Sequence, residues 1–382
     1  MIYLDNAATT WPKPEGVYQA IDRCLRTMGA NPGRGGHSMA RAASLLLYEA
    51  REGLAELFKI EDANQIVFTH NATDAISMAV FGLLRTGDTI ITTAMEHNAV
   101  ARAIRSVEAK GVHVLIVPCT RDGQLNMDAM KEAVKQKPKA VIMSHASNVT
   151  GTIMPVGEVG KLTKQVGAVF IVDAAQTAGV EAIDVSAMGI DLLAFSGHKG
   201  LLGPQGTGGL YVSEAQVLTP LRVGGTGSLS ESDIQPEFMP DRLESGTPNT
   251  PGIAGLKAGV QYILNTGRKK IQAKEMALTE RLLDGLKRIP SLKIYGNKDA
   301  VGRTAVVSFT LNSKDGGQIA HILDRDYGIA CRSGLHCAPW AHRAIGTLNT
   351  GTVRFSPGYF NSDEEIDQAI AAVQEIAQGG SK

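Results

Sequence analysis

Lys199 closes the segment Leu192-Leu193-Ala194-Phe195-Ser196-Gly197-His198-Lys199, where an apolar run gives way to a hydroxyl, a glycine, an imidazole and an amine. Such a run reads as a buried strand, and open α/β sheets bind ligands beyond the carboxyl ends of their strands. A lysine held there loses solvent, titrates low and becomes a nucleophile and base. Ser196 and His198 beside it suit a phosphate. Taken alone, a lysine between glycines is more commonly a solvated loop residue. Asp173, after Val169-Phe170-Ile171-Val172, changes the balance, because a carboxylate ending a buried strand needs a partner. A protonated ring nitrogen is one such partner, and a helix N-terminus that the aspartate caps is the plainer one.

Four further groups fall at strand ends. Ala72 and Thr73, in His70-Asn71-Ala72-Thr73, open a helix predicted over 74–84; its amides and the Thr73 hydroxyl would bind phosphate, or Asn71 and Thr73 simply cap it. His97, in Met95-Glu96-His97-Asn98, could stack on a flat ring, although lone histidines are more often structural. Cys337, in Cys331-Arg332-Ser333-Gly334-Leu335-His336-Cys337-Ala338, sits in a loop near arginine and histidine, where a thiolate nucleophile is favoured. Arg354 could clamp a carboxylate with two prongs, or make a surface ion pair. Together these residues supply an imine-forming amine, a ring-nitrogen acid, a stacking ring, a phosphate cup and a carboxylate clamp. That is the set a pyridoxal 5'-phosphate (PLP) site needs.

The elements that would position them alternate. Short runs rich in isoleucine and valine at 65–69, 88–93, 112–117, 140–144, 168–172, 192–195 and 208–212 read as strands. Amphipathic stretches such as Leu46, Ala50, Leu54 and Leu57 lie between many of them. This predicts a mostly parallel sheet covered on both faces. A long helical pattern over 251–288, interrupted by Gly259 and Gly267, leads to a second unit. That unit has strands near 293–295, 305–311 and 352–356 and a last helix over 363–377. The Gly224–Ser228 stretch reads as a mobile loop and carries no lysine of a phosphate-loop pattern.

Composition narrows the class. The 382 residues are 43% hydrophobic but only 5% aromatic, with 42 glycines, which suits an α/β enzyme with many tight turns. Lysine plus arginine equals aspartate plus glutamate at 38 each, so no global field draws the chain to nucleic acid or an anionic membrane. No membrane-length apolar run or secretory leader is evident, and the expectation is a cytoplasmic protein that binds neither nucleic acid nor membrane. Four cysteines make no disulfide framework, and Cys331 with Cys337 lacks the second half of a zinc site, so no metal is expected.

The sequence resembles the cysteine desulfurases of the class V aminotransferase group, nearly end to end, from Tyr3-Leu4-Asp5-Asn6-Ala7-Ala8-Thr9-Thr10 to Asn361-Ser362-Asp363-Glu364-Glu365-Ile366-Asp367. The most specific motifs are Ser196-Gly197-His198-Lys199, Asp173-Ala174-Ala175-Gln176 and Arg332-Ser333-Gly334-Leu335-His336-Cys337. The last resembles the branch with a short active-site loop, which includes selenocysteine lyase-like enzymes. The resemblance implies the α/β fold type I PLP architecture: a mostly parallel seven-stranded sheet with helices on both faces, plus a smaller α+β domain. It places the large PLP-binding domain at 16–255 and the small one at 256–382, with 1–15 packed on the latter. It implies that Lys199 forms the imine and moves protons, Asp173 pairs with the ring nitrogen, Gln176 contacts the ring hydroxyl and His97 stacks. Ala72, Thr73, Ser196 and His198 hold the phosphate, while Thr247 reaches the phosphate of the partner in a homodimer. Asn148 and Arg354, with Arg332 and Arg34, contact the substrate, and Cys337 accepts its sulfur. Three departures touch the acceptor surface and the substrate: Ala338-Pro339-Trp340 after Cys337, Phe360 where tyrosine is expected, and the additional thiol Cys331.

The implied reaction converts L-cysteine to L-alanine and a Cys337 persulfide, whose sulfur passes to an acceptor protein or small thiol, as in iron-sulfur cluster assembly. The alternatives are a selenocysteine lyase acting on L-selenocysteine, a cysteine sulfinate desulfinase, or another class V lyase or aminotransferase. A non-catalytic nucleotide-binding protein is the alternative from another class; it lacks support from any Gly-rich nucleotide fingerprint.

Overall fold

The computed structural model describes residues 1–379 except Arg34, Asn312 and Ser313. In chain order the strands are β1 (Ile2–Tyr3), β2 (Ile66–Thr69), β3 (Thr89–Thr93), β4 (His113–Val117), β5 (Ala140–Ser144), β6 (Val169–Asp173), β7 (Leu192–Ser196), β8 (Gly208–Val212), β9 (Leu292–Tyr295), β10 (Val307–Leu311), β11 (Ile329–Ala330), β12 (Arg332–Gly334) and β13 (Thr352–Phe355). The α-helices are α1 (Glu15–Thr27), α2 (Ser38–Phe58), α3 (Ala72–Leu83), α4 (Asn98–Glu108), α5 (Met127–Val134), α6 (Val156–Val166), α7 (Thr250–Thr266), α8 (Arg268–Lys287), α9 (Gly316–Tyr327), α10 (Pro339–Ile345) and α11 (Asp363–Ala377).

The seven runs predicted as strands form one sheet in the order β2-β8-β7-β6-β5-β3-β4. It is parallel except for β8, which is antiparallel to both of its neighbours. The mostly parallel seven-stranded expectation holds. Alternation along each strand splits the core between the two faces. Phe170, Val172, Leu193 and Phe195 pack on one face, while Val169, Ile171, Leu192 and Ala194 pack on the other. With both faces covered, these strands read as unbroken apolar runs.

A four-stranded antiparallel sheet, β12-β13-β10-β9, carries Arg332 and Arg354 on adjacent strands, directly opposite each other. β1 pairs in parallel with β11, so the first residues of the chain lie beside the strands that precede Cys337. The helical stretch over 251–288, read as interrupted by glycines, is two helices. The break is at Gly267 (φ +88°), whereas Gly259 lies within α7 because a Cβ there would come 2.4 Å from the Leu201 carbonyl oxygen. The expected boundary between residues 255 and 256 falls inside α7. Among the described residues, no helix is long and apolar enough to cross a membrane.

The sheet holds the start of α3 close to β7. A Cβ on Gly208 would lie 2.7 Å from both the Asn71 Cα and the Phe195 carbonyl oxygen, so only glycine lets β8 pass between them. Gly208→Ala is therefore expected to destabilise the fold by about 1–3 kcal/mol through overpacking. The check is the urea unfolding midpoint, and an unchanged midpoint contradicts the packing argument.

Candidate active site

Strand ends gather the chemical groups. Asp173 ends β6, Ser196 ends β7, and Lys199 follows three residues later. A cavity of about 290 Å³ opens there. Lys199, Asp173, Gln176, Ser196 and His198 line it from the sheet side. Ala72, Thr73 and His97 line it from the starts of α3 and α4, and Asn148, Arg332 and Arg354 close it. Eleven residues singled out from the sequence thus share one cavity.

The amine of Lys199 has no hydrogen-bond partner among the described residues. Burial pushes it down to about 8 from the ordinary 10.5; Arg354 and Arg332 push the same way, while Asp173 and Asp5 oppose them. Asp173 is 5% exposed. One of its oxygens accepts from the Ala175 amide (2.9 Å), and its acidity is weakened first by burial, against that bond and the Lys199 charge. A half-desolvated amine and a buried carboxylate with an oxygen to spare are both short of partners.

The phosphate cup expected from sequence is a helix start with donors to spare. Asn71 caps α3 by accepting from the Asp74 amide (2.9 Å), so Asn71 is the cap and Thr73 is free of that duty. Ser196 Oγ accepts from the Ala72 amide (3.1 Å). The amide and hydroxyl of Thr73 have no partner among the described residues, and the buried Nδ1 of His198 has none either. Burial, and then Lys199, hold the His198 imidazole down at about 4.

His97 has a structural duty as well as a place in the cavity. Its Nδ1 accepts from the Ala99 amide (3.1 Å) and caps α4. Burial, then the charges of Lys199 and Arg332, push it down to about 4, so the ring is neutral.

Arg354 is 1% exposed. It donates to the Asn148 carbonyl (3.0 Å) and to Asp5 Oδ1 (2.6 Å), and its buried Nε has no partner among the described residues. The surface ion pair weighed for this residue is excluded. Cys337 is exposed and lies outside the main cavity, in an adjoining one that shares Thr73, His97 and Ala99 as a wall. Arg332 Nη2 donates to its sulfur at 3.2 Å. His336 and Cys337 both take left-handed backbone angles (φ +50° and +56°), which turns the loop sharply between β12 and α10. The Asn98 amide donates to the Cys337 carbonyl (2.8 Å), and Asn148 Nδ2 donates to the His336 carbonyl (2.8 Å).

The aminotransferase class-V family model matches residues 2–369. The chain belongs to the aminotransferase class-V family. A probable cysteine desulfurase of Methanothermobacter thermautotrophicus is 37% identical over 385 aligned positions, covering 99% of this chain and 95% of that protein. One of Pyrococcus abyssi is 34% identical, covering 99% and 94%. Among solved structures, the apo cysteine desulfurase of Thermococcus onnurineus NA1 superposes with a TM-score of 0.93 at 34% identity, over 99% of this chain and 95% of that one. The cysteine desulfurase CsdA of Escherichia coli, in an S-sulfonic acid form, superposes with a TM-score of 0.88 at 27% identity, over 98% and 94%. The fold type I expectation holds.

Class-V enzymes of this fold depend on PLP, and the residues present fit it. The unpartnered amine of Lys199 matches the aldehyde, the spare oxygen of Asp173 matches a protonated ring nitrogen, and the donors at Thr73 and His198 match a phosphate. Not every expected residue is in this cavity. Thr247 is exposed, lines a separate cavity with His70 and Arg222, and accepts from Asn31 Nδ2 (3.2 Å). Arg34 lies outside the described residues. The Gln176 amide donates to the Ala7 carbonyl (3.0 Å).

The sequence reading missed the inner role of the first residues. Asp5 pairs with Arg354, Ala7 and Ala8 line the cavity, and Thr9 and Lys13 donate to the His198 carbonyl (3.1 and 2.7 Å). The polar string Asp5-Asn6-Ala7-Ala8-Thr9-Thr10 was a signal, but only for the resemblance.

The lowered Lys199 predicts a pH profile. Below about 8 the amine is protonated and unreactive, and above it the neutral form dominates. Aldehyde capture by the apoprotein, trapped with borohydride and located by mass spectrometry, is expected to rise to a plateau with a midpoint near 8. A midpoint near the ordinary lysine value contradicts the burial argument.

Proposed function

We propose that this class-V enzyme is a PLP-dependent cysteine desulfurase, converting L-cysteine to L-alanine and leaving the sulfur on Cys337. The observation that carries the reading is the pair of adjoining cavities. Lys199 and Arg354 line the inner one, and Cys337 stands in the outer one with Arg332 at its sulfur.

PLP, when bound, supplies an electron sink for negative charge at the substrate α carbon. The chain's own groups do the rest. Lys199 would anchor the cofactor through Nζ and would move the proton at the substrate α carbon. Asp173 would hold a proton on the ring nitrogen, with Gln176 for the ring hydroxyl and neutral His97 for the ring face. Ala72, Thr73, Ser196 and His198 would hold the phosphate. Arg354 and Asn148 orient the substrate carboxylate, with Arg332 nearby. The Nε of Arg354 is the donor left over for that task.

Cys337 Sγ attacks the substrate sulfur. An S–S bond forms, the C–S bond breaks, and its electron pair stays with the substrate carbon, which takes up a proton on the way to alanine. Arg332 steadies the attacking thiolate. An acceptor thiol, on a protein or a small molecule, then takes the sulfur.

Thr247, on the surface, is assigned to the phosphate held by a second copy of the chain, which makes the working unit a homodimer. L-Selenocysteine offers the same carboxylate and amine to the site and is an alternative substrate.

Cys337→Ser is expected to retain PLP, as read from its visible absorption. It should lose alanine formation from L-cysteine by roughly a hundredfold or more, about 2.7 kcal/mol of transition-state stabilisation. Transamination does not need Cys337. Alanine released at the unaltered rate therefore overturns the assignment.

A further inference from the structure

Cys337 lines the outer of the two adjoining cavities, and that cavity has a shape of its own. It is a trough between α3 and α4, about 360 Å³ in volume. Thr73, Ser77 and Phe81 form one wall and Asn98, Arg102 and Ser106 the other. Each set is spaced by four residues, so each is one stripe along a helix. Eight residues of helix give the trough a length of about 12 Å. Small Ala99 and Ala103 leave room between the walls. One end is fixed at Cys337, whose carbonyl accepts from the Asn98 amide at the start of α4.

The charge in this trough is one-sided, in a chain whose charges otherwise balance at 38 and 38. Arg102 lies on the wall, is exposed, and makes no ion pair among the described residues. Lys110 Nζ lies 5.6 Å from the centre of the Phe81 ring at the far end. Arg105, on the next turn, is taken up by Glu108 and by the Trp340 ring (5.2 Å), so the nearby carboxylate is already spent. The volume is that of a small-ligand site.

We propose that the α3–α4 trough is the sulfur-acceptor site, and that it takes a small thiol carrying a carboxylate, with the thiol at Cys337 and the carboxylate at Arg102. This rests on the desulfurase reading. The acceptor thiolate attacks the outer sulfur of the Cys337 persulfide. A new S–S bond forms on the acceptor, the bond to Cys337 Sγ breaks, and its electron pair returns to Sγ as a thiolate facing Arg332. The acceptor leaves as a persulfide, and no further oxidant or reductant is needed. Substrate enters the inner cavity and acceptor the outer one, so the two half-reactions approach Cys337 from different sides.

The test uses the PLP-loaded enzyme with L-cysteine and, in turn, three thiols, 3-mercaptopropionate, 2-mercaptoethanol and cysteamine, and the steady rate with L-cysteine alone, itself a carboxylated thiol, is subtracted from each. Two rates are read, the first-turnover burst of alanine and the steady rate that follows. Arg102→Ala is expected to keep the burst amplitude and to slow the steady rate roughly fivefold with 3-mercaptopropionate alone. Arg102→Glu should lower that rate further and raise the rate with cysteamine. Comparing each variant with wild type for the same thiol removes differences in intrinsic reactivity. Equal effects on all three thiols, or none, overturn the proposal. A wild-type enzyme that forms no alanine from L-cysteine overturns the desulfurase reading itself, which keeps the two failures apart. Burst amplitude also reports whether a variant has folded, and Arg102→Gln, expected to match Arg102→Ala, guards against a packing effect of the smaller side chain.

Discussion

The rest of the site depends on one constraint: a half-buried primary amine with no hydrogen-bond partner among the described residues. Desolvation favours the uncharged form of an amine, and an uncharged amine is the form that bonds to an aldehyde. Lys199 is brought to this state by its position beyond the end of β7, where Ser196 is buried and the chain turns back under α7. Asp173 at the end of the neighbouring β6 would counteract the effect, and the arginines of the four-stranded sheet restore it. The balance needs both sheets, because Asp173 comes from one and Arg332 and Arg354 come from the other.

The first thirteen residues tie these parts together. Asp5 meets Arg354 on β13, the Ala7 carbonyl receives the Gln176 amide, and Thr9, Thr10 and Lys13 crowd the His198 carbonyl next to Lys199. Lys13 is half-buried and pushed down to about 8 by burial. A carbonyl loaded with these donors fixes the peptide that carries Lys199. The N-terminal segment therefore works as a strap across the site rather than as a loose end.

What could be read in advance follows from physical scale. β5, β6 and β7 are buried along their whole length, so each is an apolar run with a polar stop, and the stops are where Asp173 and Lys199 lie. Of the helices, α2, α3, α11 and the stretch that forms α7 and α8 were legible as helical patterns. β1, β11 and β12 were not legible. They are two or three residues long and exist only through pairing across the chain, as Ile2 does with Ile329. The Asp5–Arg354 pair joins residues 349 positions apart, and no spacing rule reaches that far. His97 shows a subtler limit. Its type and position suggested a stacking ring, yet the same imidazole also caps α4, and one sequence signal served two physical ends.

Thr73, His97 and Ala99 line both the cavity of Lys199 and the cavity of Cys337, the residue on which the sulfur of L-cysteine is proposed to be left. The most direct measurement incubates the PLP-loaded enzyme with one equivalent of L-cysteine per active site and no other thiol, and quantifies alanine, pyruvate and sulfide while the Cys337 peptide is weighed by mass spectrometry. The expected result is one alanine per active site, little free sulfide, and one added sulfur on Cys337. Pyruvate as the main product, with an unmodified Cys337 and sulfide released freely, would contradict it.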